Sequence, residues 1–216
     1  LIKVGNPTLK PQFTTSVELG YRHLWNSGSL YGAAYHRQTD GTISRIATQA
    51  PNSVVLFNIF QNIGRSYNTG VELVWQQDFS KFVNLNASLN LYQNTIEAFN
   101  ITNKYPIPTT YTGQKQQLTS GNFKVNALLH LPQSFDWQVT SIYLAPDLIP
   151  QGRIGQRYSL DMGLKKTLKK GELFLNATDL LNTMNIHKTI NGTGFTLNST
   201  DYYETQVVRA GYSRKF

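Results

Sequence analysis

The segment that decides the fold is Val207-Val208-Arg209-Ala210-Gly211-Tyr212-Ser213-Arg214-Lys215-Phe216. It alternates in character and stops on an aromatic residue. In a strand, side chains point alternately to opposite faces. Counted back from Phe216, one face carries Arg214, Tyr212, Ala210 and Val208. Val208, Ala210 and Tyr212 suit a surface that meets lipid, where every second residue of a membrane-spanning strand is apolar. Arg214 suits it only near a rim, where a long cation reaches the head groups.

The same alternation runs through the whole chain, and no stretch of useful length has a helical period. Phe13, Thr15, Val17, Leu19, Tyr21, His23 and Trp25 share a face, opposite Thr14, Ser16, Glu18, Gly20 and Arg22. After Asn26-Ser27-Gly28 the return strand starts at Leu30 and is expected to continue to Thr48. Val54 to Phe60 is apolar and rich in β-formers, and Tyr67 to Gln76 alternates again. The clearest case sets Val83, Leu85, Ala87, Leu89 and Leu91 against Asn84, Asn86, Ser88 and Asn90. Further alternating stretches begin at Phe123, Phe135, Tyr158 and Leu173.

Connections alternate in length. They are short at 26–28, 78–81, 132–134 and 169–171, and long at 40–53, 99–120, 145–157 and 187–200. Short turns on one side and long loops on the other mark transmembrane barrels. The expected fold is therefore all-β, an antiparallel transmembrane barrel segment. The count is about nine strands, whereas a complete single-chain bacterial barrel has an even number. Residues 1–216 are accordingly expected to be the C-terminal part of a larger barrel. Leu1 opens no signal peptide, so an N-terminal part is expected to be missing or processed.

Composition narrows the alternatives. The 216 residues include 0 Cys, which removes disulfides and cysteine-based metal or redox sites. No window approaches 18 apolar residues, which excludes helical spans but not strands. The net charge is +8, but the cations are scattered, so nucleic acid is not an expected partner. Tyr 12, Phe 11 and Trp 3 suit interfacial girdles.

Several motifs resemble a known family. Gly5-Asn6-Pro7-Thr8-Leu9-Lys10-Pro11 followed by Glu18-Leu19-Gly20-Tyr21 resembles the loop-to-strand signature in the C-terminal half of TonB-dependent outer-membrane receptors. Gly64-Arg65-Ser66-Tyr67-Asn68-Thr69-Gly70-Val71-Glu72-Leu73 resembles a later strand of the same receptors. Tyr158-Ser159-Leu160-Asp161-Met162-Gly163-Leu164-Lys165-Lys166 and Leu175-Asn176-Ala177-Thr178-Asp179-Leu180-Leu181-Asn182-Thr183 are similar to the penultimate hairpin of the barrels typical of Bacteroidota. The resemblance implies a barrel of about 22 strands around a plug. It also implies a bacterial outer-membrane location, lipid contact and uptake energised through a TonB-type partner. Plug and TonB box would lie upstream of Leu1. The terminal aromatic resembles the signal read by the barrel-insertion machinery, which makes Tyr212 and Phe216 candidates for assembly.

Catalytic chemistry finds no support. His23, His36, His130 and His187 lack metal-ligand spacing, and Gly-x-Ser-x-Gly is absent. No metal, cofactor or enzyme activity is expected. Glu18, Arg22, Glu72, Asn84, Asn86, Asn90, Lys124, Asp136, Asp161 and Lys165 fall on the polar side of their strands and are the candidate lumen residues. Each is also explained by a merely hydrated lumen with compensating ion pairs. Tyr105, Tyr111, Phe195, Tyr202 and Tyr203 lie in the long loops and are candidates for contact with a ligand or partner, or for packing between loops. The expected function is TonB-dependent uptake of a bulky ligand. The alternative is a non-transporting structural barrel in an outer-membrane complex, with a surface lipoprotein or other subunits as partners.

Overall fold

A computed structural model describes residues 1–214. Nine strands form the wall: β1 Phe13–Trp25, β2 Gly28–Asp40, β3 Arg65–Ser80, β4 Val83–Ile96, β5 Gln116–Leu131, β6 Phe135–Leu144, β7 Arg157–Leu168, β8 Gly171–Thr178 and β9 Val207–Arg214. They make one antiparallel sheet in which each strand pairs with its neighbours in sequence. Among the described residues the sheet does not close: β1 and β9 each have a single hydrogen-bonded neighbour.

Register carries the alternation from strand to strand. Tyr21 lies opposite Gly32, Gly32 opposite Leu73, Leu73 opposite Leu89 and Leu89 opposite Phe123. The apolar sets of β1 and of β3 to β9 therefore share one face. Gly20, Ala33, Glu72, Asn90 and Asn122 form the adjoining row on the other face. A slip of one residue at any pair would exchange the faces. Matching alternation and matching register thus reinforce each other across the sheet.

The short connections all lie at one end. The turn after β5 is Pro132–Ser134, where Gln133 (φ 63) and Ser134 (φ 62) take the left-handed conformation that a tight reversal needs. The opposite end departs from expectation. The return strand does not run on to Thr48. It stops at Asp40, and Ile43–Gln49 pairs instead with Leu56–Asn62 as a separate hairpin, joined in parallel by Ile2–Val4. The cause is at the hairpin's base. Gly41 (φ +67) and Gly64 (φ +92) adopt backbone shapes that L side chains rarely take, and they swing the hairpin off the wall. Thr42 N–H to Gly64 O (2.9 Å) and Ile63 N–H to Thr42 O (2.8 Å) tie the base. Val54 to Phe60 accordingly lies outside the wall.

The other long connections also hold hairpins rather than irregular loops: Phe99–Asn103 with Thr109–Gly113, Asp147–Ile149 with Gly152–Ile154, and Ile186–Gly192 with Phe195–Asp201. Residues 116–120 belong to β5 rather than to the preceding loop.

The face assignment has a direct test. Leu89→Arg places a charge on the apolar face and is expected to cost about 2–4 kcal/mol near mid-bilayer. Asn86→Arg, on the other face, is expected to cost far less. Denaturant titration of the folded protein in bilayers checks this; equal costs contradict the assignment.

Candidate functional site

All ten candidate polar residues lie on one face of the wall, as the register requires. Their side chains differ in what they do. Tyr31 donates its hydroxyl hydrogen to Glu18 (2.9 Å), and Arg22 and Arg37 lie over the rings of Tyr31 and Tyr35 at 5.6 and 4.4 Å from the centroids. Arg37 also reaches Glu18 at 3.8 Å. Tyr35 crosses β3 to donate to Asn90 (2.9 Å). It crosses at Gly70, where a Cβ would lie 2.8 Å from the Tyr35 hydroxyl oxygen and 2.5 Å from the Leu91 carbonyl oxygen.

At the short-turn end, Asp136 contacts His130 (2.7 Å) and Lys165 (3.1 Å), and Lys165 reaches Glu172 at 3.9 Å. A cleft of about 460 Å³ adjoins this group, lined by Leu128, Gln138 and Asn176 among others. Asn84 donates to Asp78. Asp161 accepts from Ser159 (2.6 Å) and from the Asp179 backbone N–H (2.8 Å). Glu72, Asn86 and Lys124 make no side-chain hydrogen bond or ion pair among the described residues. The ten are thus one surface with several local networks rather than one converging constellation.

At the long-loop end the polar face is covered. Ile96 and Leu118 lie on that face and pack with Ile46, Ile63, Phe99, Ile101, Leu148 and Tyr111 from the hairpins above. Each buried side chain of this size contributes about 1.5–3 kcal/mol relative to exposure. Polar contacts interlock the hairpins. Tyr92 and Asn94 donate to Asp147 (2.7 and 3.0 Å). Gln151, 3% exposed, accepts from the Ala47 N–H (2.6 Å) and donates to the Ala47 carbonyl (2.8 Å), so its amide serves as an extra strand partner. Asn103 donates to Thr48 (3.0 Å) and Thr109 (3.2 Å).

Asp179 anchors the last long connection. It is 2% exposed, and it accepts from Thr183 N–H (3.0 Å), Met184 N–H (3.2 Å) and the Thr205 hydroxyl (2.6 Å). Burial alone would push its carboxyl up, but the bonds from Thr205, Thr183 and Met184 outweigh this and hold it below the usual carboxylate range.

A model of the outer membrane protein beta-barrel family matches residues 1–213. The chain belongs to this family. Its wall accordingly lies in the bacterial outer membrane, with the apolar face against lipid. Comparison with curated proteins and with solved structures finds no match.

The loop aromatics divide. Tyr105, Tyr202 and Tyr203 are exposed. Tyr111 packs into the cap, 5.9 Å from the Phe99 ring, and donates to the Asn191 carbonyl (3.3 Å). Phe195 lies over Gly192, filling the place of a side chain there. Tyr212 packs on Gly171 at the final short turn, and Phe216 lies outside the described residues. Sequence reading missed Tyr35, Tyr92, Asp147, Gln151 and Asn103. Tyr35 had a signal, the alternation of Tyr31, Ala33, Tyr35 and Arg37, blurred by small residues on both faces. Gln151 had none, because its partner is 104 positions away.

Two outcomes follow from these contacts. Gln151→Ala leaves the Ala47 N–H and C=O without partners, at about 1–3 kcal/mol for each buried group. Hydrogen exchange is expected to show faster exchange at Ala47; unchanged protection contradicts the cap. Asp179→Asn is expected to loosen the Thr183 and Met184 amides at neutral pH. The folded carboxyl titrates below its unfolded value, so its contribution is present above about pH 4 and lost as pH falls further. The difference from wild type should shrink on acidification; a difference that grows contradicts the anchoring role.

Proposed function

We propose that this chain is the C-terminal part of an outer-membrane receptor that takes up a bulky ligand in a TonB-dependent manner. Its polar face lines the lumen, and its hairpin cap forms the outer mouth. The observation that carries this reading is the cap itself. Four long connections fold into hairpins; a core built from the first three seats on the polar face through Ile96 and Leu118, and the fourth is tied on by Tyr111 and by pairing with Gly152–Ile154. Such a cap restricts the mouth to what its outer surface admits. The unpaired edges of β1 and β9 support a larger barrel, because an open sheet edge is untenable in lipid.

In this reading Glu18, Arg22, Glu72, Lys124 and the other candidate residues face the water-filled interior. Tyr105, Tyr202 and Tyr203 are the outer contacts open to a ligand or a surface lipoprotein. Tyr212 and Phe216 serve the insertion machinery. The energising partner acts through an upstream segment, and no residue here has a catalytic role.

The experiment compares three strains: wild type, one lacking the full-length protein and one lacking the TonB-type energiser. Each is offered labelled oligosaccharides, metal chelates and cobalamins. Loss of uptake of one ligand class in both mutants is the expected result. Normal uptake of every class without the protein, with loss of a surface complex instead, contradicts it.

A further inference from the structure

The lipid face is not uniform along its height. Its tryptophans, Trp25, Trp75 and Trp137, all lie near the short turns, two residues or fewer from a strand end in the case of Trp25 and Trp137. Phe79 packs edge-on against Trp75, with ring centroids 5.9 Å apart. Closing this end, Leu131, Phe135, Lys166, Leu173 and Tyr212 follow one another across adjacent strands as directly opposed residues. Lys166 is therefore a cation within a row of apolar and aromatic residues on the face that meets lipid.

Its surroundings leave the charge unanswered. The ammonium lies 3.8 Å from the Phe135 ring centroid and 3.3 Å from the Gln133 carbonyl oxygen. Neither contact is a carboxylate. Lys81 lies over the Phe82 ring at 5.0 Å, and Lys169 and Lys170 occupy the turn between β7 and β8. None of the four takes part in an ion pair among the described residues. Nearby Asp136 and Glu172 are on the opposite face and engage Lys165.

The long-loop end is built otherwise. There Arg65 pairs with Asp40 (2.6 Å), Lys115 with Glu97 (2.8 Å) and Lys188 with Asp201 (2.5 Å). Three cations are paired with carboxylates there, whereas none of the four lysines of the short-turn rim is.

We propose that the short-turn rim of the lipid face binds the head groups of anionic phospholipids, with Lys81, Lys166, Lys169 and Lys170 supplying the phosphate contacts. An ammonium offers three N–H donors, and ring and carbonyl contacts leave Lys166 with donors to spare. The aromatics at this end, Trp25, Trp75, Trp137, Phe135 and Tyr212, fix the depth of the head group, and the lysines select for net negative charge. A zwitterionic head group brings its own cation, which the rim repels. The acyl chains continue along the apolar band that the wall already presents to the membrane.

The full-length protein tests this after reconstitution into nanodiscs of phosphatidylcholine mixed equally with phosphatidylglycerol. Lipids retained after mild detergent extraction are counted by native mass spectrometry. Wild type is expected to retain phosphatidylglycerol preferentially. Lys166→Gln is expected to lower that retention about fivefold, and the quadruple Gln variant to abolish the preference. Lys3→Gln with Lys104→Gln, at the other end, is expected to leave it unchanged. No preference in wild type overturns the proposal, whatever the variants do. An equal loss in the Lys3/Lys104 control overturns it as well.

Discussion

In hydrocarbon no water is available to the peptide group, so each backbone N–H and C=O within the membrane needs a partner from the chain itself. The rest of this structure depends on that constraint. It imposes a ladder in which each strand pairs with its neighbours, which is the observed β1 to β9 order, joined by short turns at one end and long connections at the other. Once the ladder is fixed, side chains have only two destinations. The apolar band from Val17 and Leu19 to Val208 and Ala210, and the polar rows from Glu18 to Arg209, are its two faces.

Outside the membrane the constraint is relaxed, and the chain uses different means. The hairpins at the long-loop end are held by a small core around Ile46 and Ile63 and by buried amides such as Gln151 and Asn103. Those amides satisfy backbone or hydroxyl groups that water cannot reach, so truncating one leaves its partner unpaired. The cap is consequently a built structure, seated on the wall through Ile96, Leu118, Tyr92 and Asn94.

The wall was legible in the sequence because its signal is local. A two-residue period survives in Val83 to Leu91 whatever lies next to it, and register only multiplies it. The cap was not legible for the same reason. Ile43–Gln49 has a strand's composition and follows β2 after only Gly41 and Thr42, so nothing in it marks a separate sheet. The break rests on the backbone of Gly41, paired through Thr42 with Gly64 far along the chain. The ten polar candidates share one face through the register, but their contacts were not legible. Tyr35 reaching Asn90 depends on Gly70 lying between them, a juxtaposition that only the fold creates.

The account's central claim is that the two-residue period of β4 divides lipid from water. The sequence contains 0 cysteines, so single-cysteine variants along residues 83–91 of the full-length protein each carry one spin label. Accessibility to oxygen, which concentrates in lipid, and to a water-soluble nickel chelate is then measured in reconstituted membranes. The account predicts oxygen maxima at Val83, Leu85, Ala87, Leu89 and Leu91 and nickel maxima at Asn84, Asn86, Ser88 and Asn90. Oxygen maxima at the asparagine positions, or no two-residue period at all, would contradict it.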